Sequence, residues 1–395
     1  MIKKRVELLA PSGDLDRLKA ALLYGADAVY IGGKTLSLRS AANNFTIEDI
    51  KEGVEFAHKL NKKVYVTCNM VLHEEDKVDI LSYLTALKKA GVDGIITSSL
   101  YLIELNKDVG LEIHISTQLS TLNSLAVSAY KDMGATRVVL GRELDINEIK
   151  DICDKSEVEI EVFIHGGMCS SYSGKCMLSN IMTDRDANRG GCAHSCRWKY
   201  YLYDDNHPIF SEENYFSMSS KDLCLIREIP ALIDAGVASL KIEGRMKSLN
   251  YLAFVVSSYR KCIDDYYNNQ TLDFDKYMSL INFAENRLTG HGFIKGNVTI
   301  EEMLYNLDHD FSKAGNFIGI VRKVEGEYAY LEVKNKIVRN NTYYVLSPNK
   351  DIEPIKIKEM SHENIDVEVY TIAGHLLKLK CDKKLQEYDI IHVIE

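Results

Sequence analysis

Residues 25–32 read GADAVYIG, directly after the amphipathic stretch DRLKAALLY at 16–24. A glycine in that place fits the left-handed residue that ends a helix. The short Ala/Val/Ile run after it fits a strand buried on both faces. The same pattern returns as GVDGIITS (91–98), GATRVVLG (134–141) and GVASLKIEG (236–244), and LSYLTALKKA (81–90) is another of the helical stretches that lead into it. Four further apolar runs complete the set: VELLAP (6–11), KKVYVTCNM (62–70), LEIHISTQ (111–118) and VEIEVFIHGG (158–167). Eight short strands, most of them separated by helical stretches, predict an α/β fold of the (β/α)8 TIM-like barrel type. The alternative is a doubly wound open sheet.

A barrel gives meaning to its strand ends, because active sites of that fold sit on the C-terminal face. Taken in order, those ends offer Gly32 and Gly33, Asn69, Ser98 and Ser99, Gln118, Arg142 and Glu143, His165, then Lys241, Glu243 and Arg245. Polarity alone does not prove function there, since any strand leaving a core meets water. The barrel is assigned to 1–265, with a cysteine-rich loop at 165–200, and a helical connector to 266–311. From 312 to 395 the runs FIGIVRKVEGEYAYLEVKN, NTYYVLSP, IEPIKIKEM and DVEVYTIAGHLLKLKC alternate in period two between turn signals. They predict a small C-terminal all-β barrel domain, expected to serve substrate docking or oligomerisation.

The chain has 395 residues, of which 46% are hydrophobic and 27% charged, the composition of a globular protein with a full core. Its start, MIKKRVELLAPSGD, lacks the apolar run of a signal peptide. No stretch approaches the roughly 18 apolar residues of a membrane helix. A cytoplasmic location and no membrane partner are therefore expected. Nine cysteines in a reducing compartment point to metal binding or catalysis rather than disulfides. A net charge of −9 does not advertise nucleic-acid binding, although a local basic face remains compatible with it.

Four of those cysteines, Cys169, Cys176, Cys192 and Cys196, fall in FIHGGMCSSYSGKCMLSN (163–180) and GGCAHSCRW (190–198), after the seventh strand. The surrounding glycines allow tight folding about a compact ligand set. Four thiolates suit zinc or an iron–sulfur cluster. Neither spacing, C-x6-C nor C-x3-C, is a zinc knuckle, which favours the cluster over zinc. A catalytic thiol paired with His165 or His194 would leave cysteines to spare. Cys224 is a reserve ligand on what reads as a helix start, and the other cysteines read as core.

The two cysteine segments closely resemble the signature of the peptidase U32 family. So do ELLAPSGDLDRLKAALLYGADAVYIGG (7–33), LRSAANNFT (38–46) and SLKIEGRMKSLNYLAFVVSSYR (239–260), and the last 80 or so residues resemble its C-terminal β-barrel. The resemblance spans nearly the whole chain. It implies an oxygen-independent hydroxylase with a 4Fe-4S iron–sulfur cluster on Cys169, Cys176, Cys192 and Cys196. The two-domain length looks most like the prephenate-dependent branch that hydroxylates a tRNA wobble uridine. The implied partners are tRNA, a small carboxylate co-substrate such as prephenate, and a paired homologous subunit. Peptidase activity, the origin of the family name, and a cluster-bearing subunit for hydroxylating a quinone precursor are the alternatives.

Arg39 and Asn43, with Glu243 and Arg245, match family motifs. The expected catalytic cavity is lined by Arg39, Gln118, Arg142, Lys241, Glu243 and Arg245, its arginines suited to carboxylates through the guanidinium fork. Arg185, Arg189, Arg197 and Lys199 around Trp198 offer a phosphate-and-stacking surface. The structural reading, with Trp198 in the core and the arginines turned to the sulfurs, is preferred for that group.

Overall fold

The computed structural model describes residues 5–38, 44–76, 79–205, 207–209, 216–284, 287–303 and 317–393. Its larger unit begins β1 (Glu7–Pro11), α1 (Leu15–Leu23), β2 (Ala28–Gly32), α2 (Ile47–Lys59), β3 (Lys63–Cys68), α3 (Ile80–Lys89), β4 (Gly94–Thr97). It continues α4 (Leu100–Asn106), β5 (Glu112–Ile115), α5 (Ser124–Asp132), β6 (Arg137–Val139), α6 (Ile146–Lys155), β7 (Glu159–Gly166). After a long loop carrying α7 (Leu178–Thr183) come β8 (Asp222–Cys224), α8 (Ile229–Asp234), β9 (Ser239–Ile242), α9 (Leu249–Tyr267) and α10 (Phe274–Ala284). Strands β1 to β7 pair in parallel in chain order, and β9 pairs in parallel with both β1 and β7. That double pairing closes an eight-stranded barrel and excludes the open sheet. All eight strands read from the sequence are present.

The glycine that opens each repeat does what its position requires. Gly25, Gly91, Gly134 and Gly236 follow α1, α3, α5 and α8 with φ of +111°, +85°, +107° and +91°. These are the left-handed residues past a helix end, where any Cβ would be strained. Several helix starts are fixed by side chains: Asp14 caps α1, Thr46 and Asp145 form capping boxes on α2 and α6, and Ser248 caps α9. Helix α9 runs past residue 265 to Tyr267 and packs against α1 and α10.

Six antiparallel strands form the second unit: β10 (Phe317–Glu325), β11 (Tyr328–Val333), β12 (Thr342–Leu346), β13 (Glu353–His362), β14 (Leu376–Cys381) and β15 (Ile390–His392). Their order β12-β15-β10-β11-β14-β13, with β13 returning to β12, closes a small barrel. It docks on α1 and α9. Tyr24 donates to the Leu346 and Tyr388 carbonyls, Arg322 pairs with Asp16, and His392 meets Asn250 with its ring edge-on to Phe254.

The inside of the large barrel is not the purely apolar core that unbroken Val/Ile strands suggest. Leu9, Ala28, Tyr30, Tyr65 and Ile96 form a small apolar cluster there. Beside them Arg137 holds Glu7, Glu159 and Glu161, and Lys241 holds Glu161 at 2.7 Å. Glu161 and Lys241 are almost fully buried. Burial pushes the Glu161 carboxyl up, but the Lys241 and Arg137 charges outweigh it and hold it below its ordinary value. Among the described residues no helix is long and apolar enough to cross a membrane.

Candidate active site at the barrel mouth

The loop after β7 reaches over the C-terminal ends of the strands and is fastened at three places. Near its start, the Gly167 amide donates to the Glu243 carboxylate at 3.4 Å, beyond the end of β9. In its middle, Ser120 donates to the Ser173 carbonyl at 2.6 Å, and Gly174 lies so close to the turn after β5 that a Cβ would sit 2.2 Å from the Gln118 carbonyl oxygen. Farther on, Arg189 donates to the Val71 carbonyl at 2.7 Å and pairs with Asp76, in the segment after β3. The Asp76 carboxyl is held at about 2, chiefly by its hydrogen bond from Arg189.

All four cysteines of this loop are free thiols; Cys169 is exposed and Cys176, Cys192 and Cys196 are half-buried. The Cys196 thiol is pushed up, first by burial, with Cys169 and Cys192 adding as neighbouring charges, while Ser170 and Arg197 pull the other way. Three of the four thiols thus share one electrostatic neighbourhood. Asn188 ties the fourth into the loop, donating to the Cys176 carbonyl at 3.0 Å. Among the described residues no three His, Cys, Asp or Glu side chains converge on one point that could hold a metal ion. The donors themselves are all thiols, soft ligands of the kind that zinc and iron–sulfur clusters take, so the set fits either by its chemistry.

The six expected cavity residues divide. Arg39, like Asn43, lies outside the described residues. Among the described residues the Gln118 Oε1 is buried without a hydrogen-bond partner, and its turn is stitched to β6 by Thr117 on the Leu140 carbonyl and by the Gly141 amide on the Thr121 carbonyl. The Arg142 guanidinium lies 4.0 Å over the Phe163 ring, and among the described residues it has no ion-pair or hydrogen-bond partner. Glu243 receives the Gly167 amide, as above. Arg245 is buried, donating to Ser37 at 3.0 Å and Thr67 at 3.3 Å across the tops of β2 and β3. It comes so near Gly32 that a Cβ there would lie 1.7 Å from Nη1.

The place expected for Lys241 needs correcting. Its ammonium sits inside the barrel on Glu161, 4.5 Å from the Tyr30 ring centre and 5.3 Å from that of Phe163, not in the mouth. Burial holds it below its ordinary value, with Glu161 opposing and Arg142 reinforcing the shift.

His165 and Cys224 also move. Strict alternation along β7 would turn His165 inward after Glu159, Glu161 and Phe163. Pairing with β9 instead shifts register, Lys241 facing Phe163 and Ile242 facing His165, so one extra residue is accommodated. His165 therefore turns outward to α9, its Nδ1 3.2 Å from the Tyr259 hydroxyl and its ring beside Tyr251. Cys224 begins no helix. It ends β8, antiparallel to β7, and its sulfur lies 3.8 Å from the Met278 sulfur and 3.7 Å from the Tyr259 hydroxyl. That puts it in the outer layer with His165.

Several residues at the mouth carry no motif. Phe163 supports Arg142; Ser37 and Thr67 hold Arg245; Asn69 donates to Ser116 and accepts from the Leu38 amide, joining three strand ends. Glu143 is half-buried beside Arg142, its carboxyl pushed up by burial. Acidic residues at alternate positions of β7, Glu159 and Glu161, were the available sign that the barrel interior is charged.

The sequence model described as peptidase family U32 matches residues 13–304, and that of the family's C-terminal domain matches residues 314–392. The chain belongs to the peptidase U32 family. It is 47% identical over 400 residues to the tRNA hydroxylation protein P1 of Bacillus subtilis, covering 98% of this chain and 94% of that one. It is 34% identical to an uncharacterized protease of Methanocaldococcus jannaschii, over 99% and 98% of the two chains. Over 260 residues it is 40% identical to the 23S rRNA 5-hydroxycytidine C2501 synthase of Escherichia coli, 66% of this chain and 39% of that one.

Proposed function

We propose that this chain is an oxygen-independent RNA hydroxylase acting on a tRNA wobble uridine, with an iron–sulfur cluster and a small carboxylate of the prephenate kind as oxygen donor. The observation that carries the reading is the four-thiol loop lying across the mouth of a barrel, in a chain matched along 98% of its length by a tRNA hydroxylation protein. A 4Fe-4S cluster bound by Cys169, Cys176, Cys192 and Cys196 would supply one-electron chemistry there.

The chain's own residues supply the rest. Arg142, in no ion pair or hydrogen bond among the described residues although Glu143 lies beside it, is a cation at the mouth that can meet a carboxylate; Arg245 and Lys241 are committed to Ser37, Thr67 and Glu161. Phe163 fixes the height of that guanidinium from below. Gln118 brings an amide with an unmet acceptor to the same side, suited to an N–H or O–H of a bound substrate. Of the two candidate bases of the peptidase reading, His165 is turned into the layer beneath α9.

Two measurements test this. Protein purified without oxygen should carry iron and sulfide and lose both when the four cysteines are changed to serine. Nucleosides from tRNA of a strain lacking the gene should lose the 5-hydroxyuridine-type modification, and the intact gene should restore it where the serine variant does not. An unchanged modification in a strain without a second copy would remove the tRNA reading.

A further inference from the structure

We infer that Asn188 and Ser179 are positioning residues of the four-thiol set, a reciprocal clasp that holds the main chain at Cys176 and Cys192 together. This rests on the reading of the four thiols as ligands and adds the residues that set their spacing.

Residues 177–191 separate Cys176 from Cys192 and read as a plain spacer. The structure folds them back on both cysteines. From the Cys192 side, the Asn188 Nδ2 donates to the Cys176 carbonyl at 3.0 Å. From the Cys176 side, the Ser179 Oγ accepts from the Ala193 amide at 3.1 Å, one residue past Cys192. Each half of the loop thus holds the other half at its cysteine. Neither bond is a loose surface contact, since Ser179 is 2% exposed and Asn188 is half-buried.

Asp186 fixes the turn that presents Asn188. Its Oδ1 accepts from the Asn188 amide at 2.8 Å, and its carbonyl accepts from the Arg189 and Gly191 amides at 3.2 Å and 2.7 Å. Gly190 takes a φ of +93° there, and a Cβ on Gly191 would lie 2.8 Å from the Asp186 carbonyl oxygen. Two glycines are therefore needed just before Cys192. The clasp is also anchored to the barrel. The Asn188 carbonyl accepts from the Val71 amide at 3.3 Å, beside Arg189 on the Val71 carbonyl. Asn188 alone joins Cys176, through its side chain, to the segment after β3, through its main chain.

Among the described residues the thiols do not converge on one point. A cysteine turns its sulfur by one side-chain rotation, whereas its main chain has to be in place already. Groups that stand behind the ligands and hold them there carry much of a metal site's affinity.

The test is cobalt(II) alone, titrated without oxygen into the whole chain freed of bound metal, with thiolate-to-cobalt charge-transfer absorbance as the readout. Asn188→Asp keeps the shape of the side chain and removes the donated N–H; Ser179→Ala removes one oxygen. Each should weaken cobalt binding about 10- to 100-fold, the range for a partner behind a metal ligand. Each should also lower the absorbance per bound ion as a thiolate drops out. The deciding comparison is made in a Cys176→Ser chain. With that ligand already gone, Asn188→Asp should cost no more than about 2-fold, because it acts through Cys176. A loss as large there as in the parent, or unchanged binding in either single variant, would overturn the clasp and leave the four-thiol reading standing. An intact chain that gives no charge-transfer absorbance would overturn the ligand set itself, and the clasp with it.

Discussion

Lys241 stands at the end of β9 in a segment that reads as catalytic, yet the structure gives it a partner inside the barrel. Its Nζ is 2.7 Å from Glu161 Oε1, and the two residues are 4% and 0% exposed. Replacing it by Met keeps the volume of the stem and removes the charge. At a charge separation near 4 Å and an effective dielectric of about 20, the lost attraction is about 4 kcal/mol. Breaking a buried pair leaves the other charge uncompensated, at a cost of about 3–5 kcal/mol. Arg137 still faces Glu161 at 3.1 Å while shared with Glu7 and Glu159, so the lower end applies, about 3 kcal/mol. Adding Glu161→Gln should recover about 2 kcal/mol, because the stranded charge is gone and Arg137 keeps two other carboxylates. Denaturant unfolding followed by circular dichroism, with equal slopes for all three proteins, reads these differences. The double variant should also regain RNA hydroxylation, which a reacting lysine would forbid. A Lys241→Met protein within 1 kcal/mol of the parent, or a double variant no more stable than the single, would refute a structural ion pair here.

Three other outcomes are expected. Arg142→Gln should raise the KM for the carboxylate co-substrate proposed above about 10- to 150-fold with a smaller change in kcat, the loss of one charge-assisted contact worth about 1.5–3 kcal/mol; steady-state kinetics at saturating RNA decides it, and an unchanged KM contradicts the assignment. Gly174→Val should destabilise the fastened loop by about 1–3 kcal/mol, since φ there is +74° and a Cβ would meet the Gln118 carbonyl; limited proteolysis should then cut between 167 and 200 faster than in the parent. Burial pushes His392 down to about 4, so the folded protein keeps it neutral where the unfolded chain binds a proton near 6.5. Its contribution is present above pH 6.5 and is lost as pH falls toward 4, to a limit of about 3 kcal/mol. Asp389, pushed up to about 6 by burial, acts in the opposite sense over the same range but is common to both proteins in the comparison. The stability advantage of the parent over His392→Gln should therefore narrow between pH 6.5 and 4, and an advantage constant with pH rules the mechanism out.

The barrel was legible because its grammar is local. A glycine after an amphipathic helix, then a short apolar run, states both a left-handed helix end and a buried strand, and Gly25, Gly91, Gly134 and Gly236 all carry that conformation. The four-thiol loop was legible for a related reason: cysteines, glycines and their position after the seventh strand are facts of order along the chain. The lining of the site was legible only in part. Gln118, Arg142, Glu243 and Arg245 were rightly placed at strand ends, but whether each is engaged or left open depends on neighbours far away in sequence, such as Thr67 for Arg245 and Phe163 for Arg142.

By itself, then, the sequence determined the eight strands, the second all-β barrel and the cysteine loop at the C-terminal face, because periodicity and turn chemistry act over a few residues. Only the tertiary structure decided which way His165 faces, since that depends on a register shift between β7 and a strand more than 70 residues later. It alone showed that Lys241 is buried on Glu161, that Arg189 is committed to Asp76 and that Trp198 stands open to solvent. A side chain's charge and shape are written in the chain; the partner that uses them is fixed by closure of the barrel and by the loop laid across its mouth.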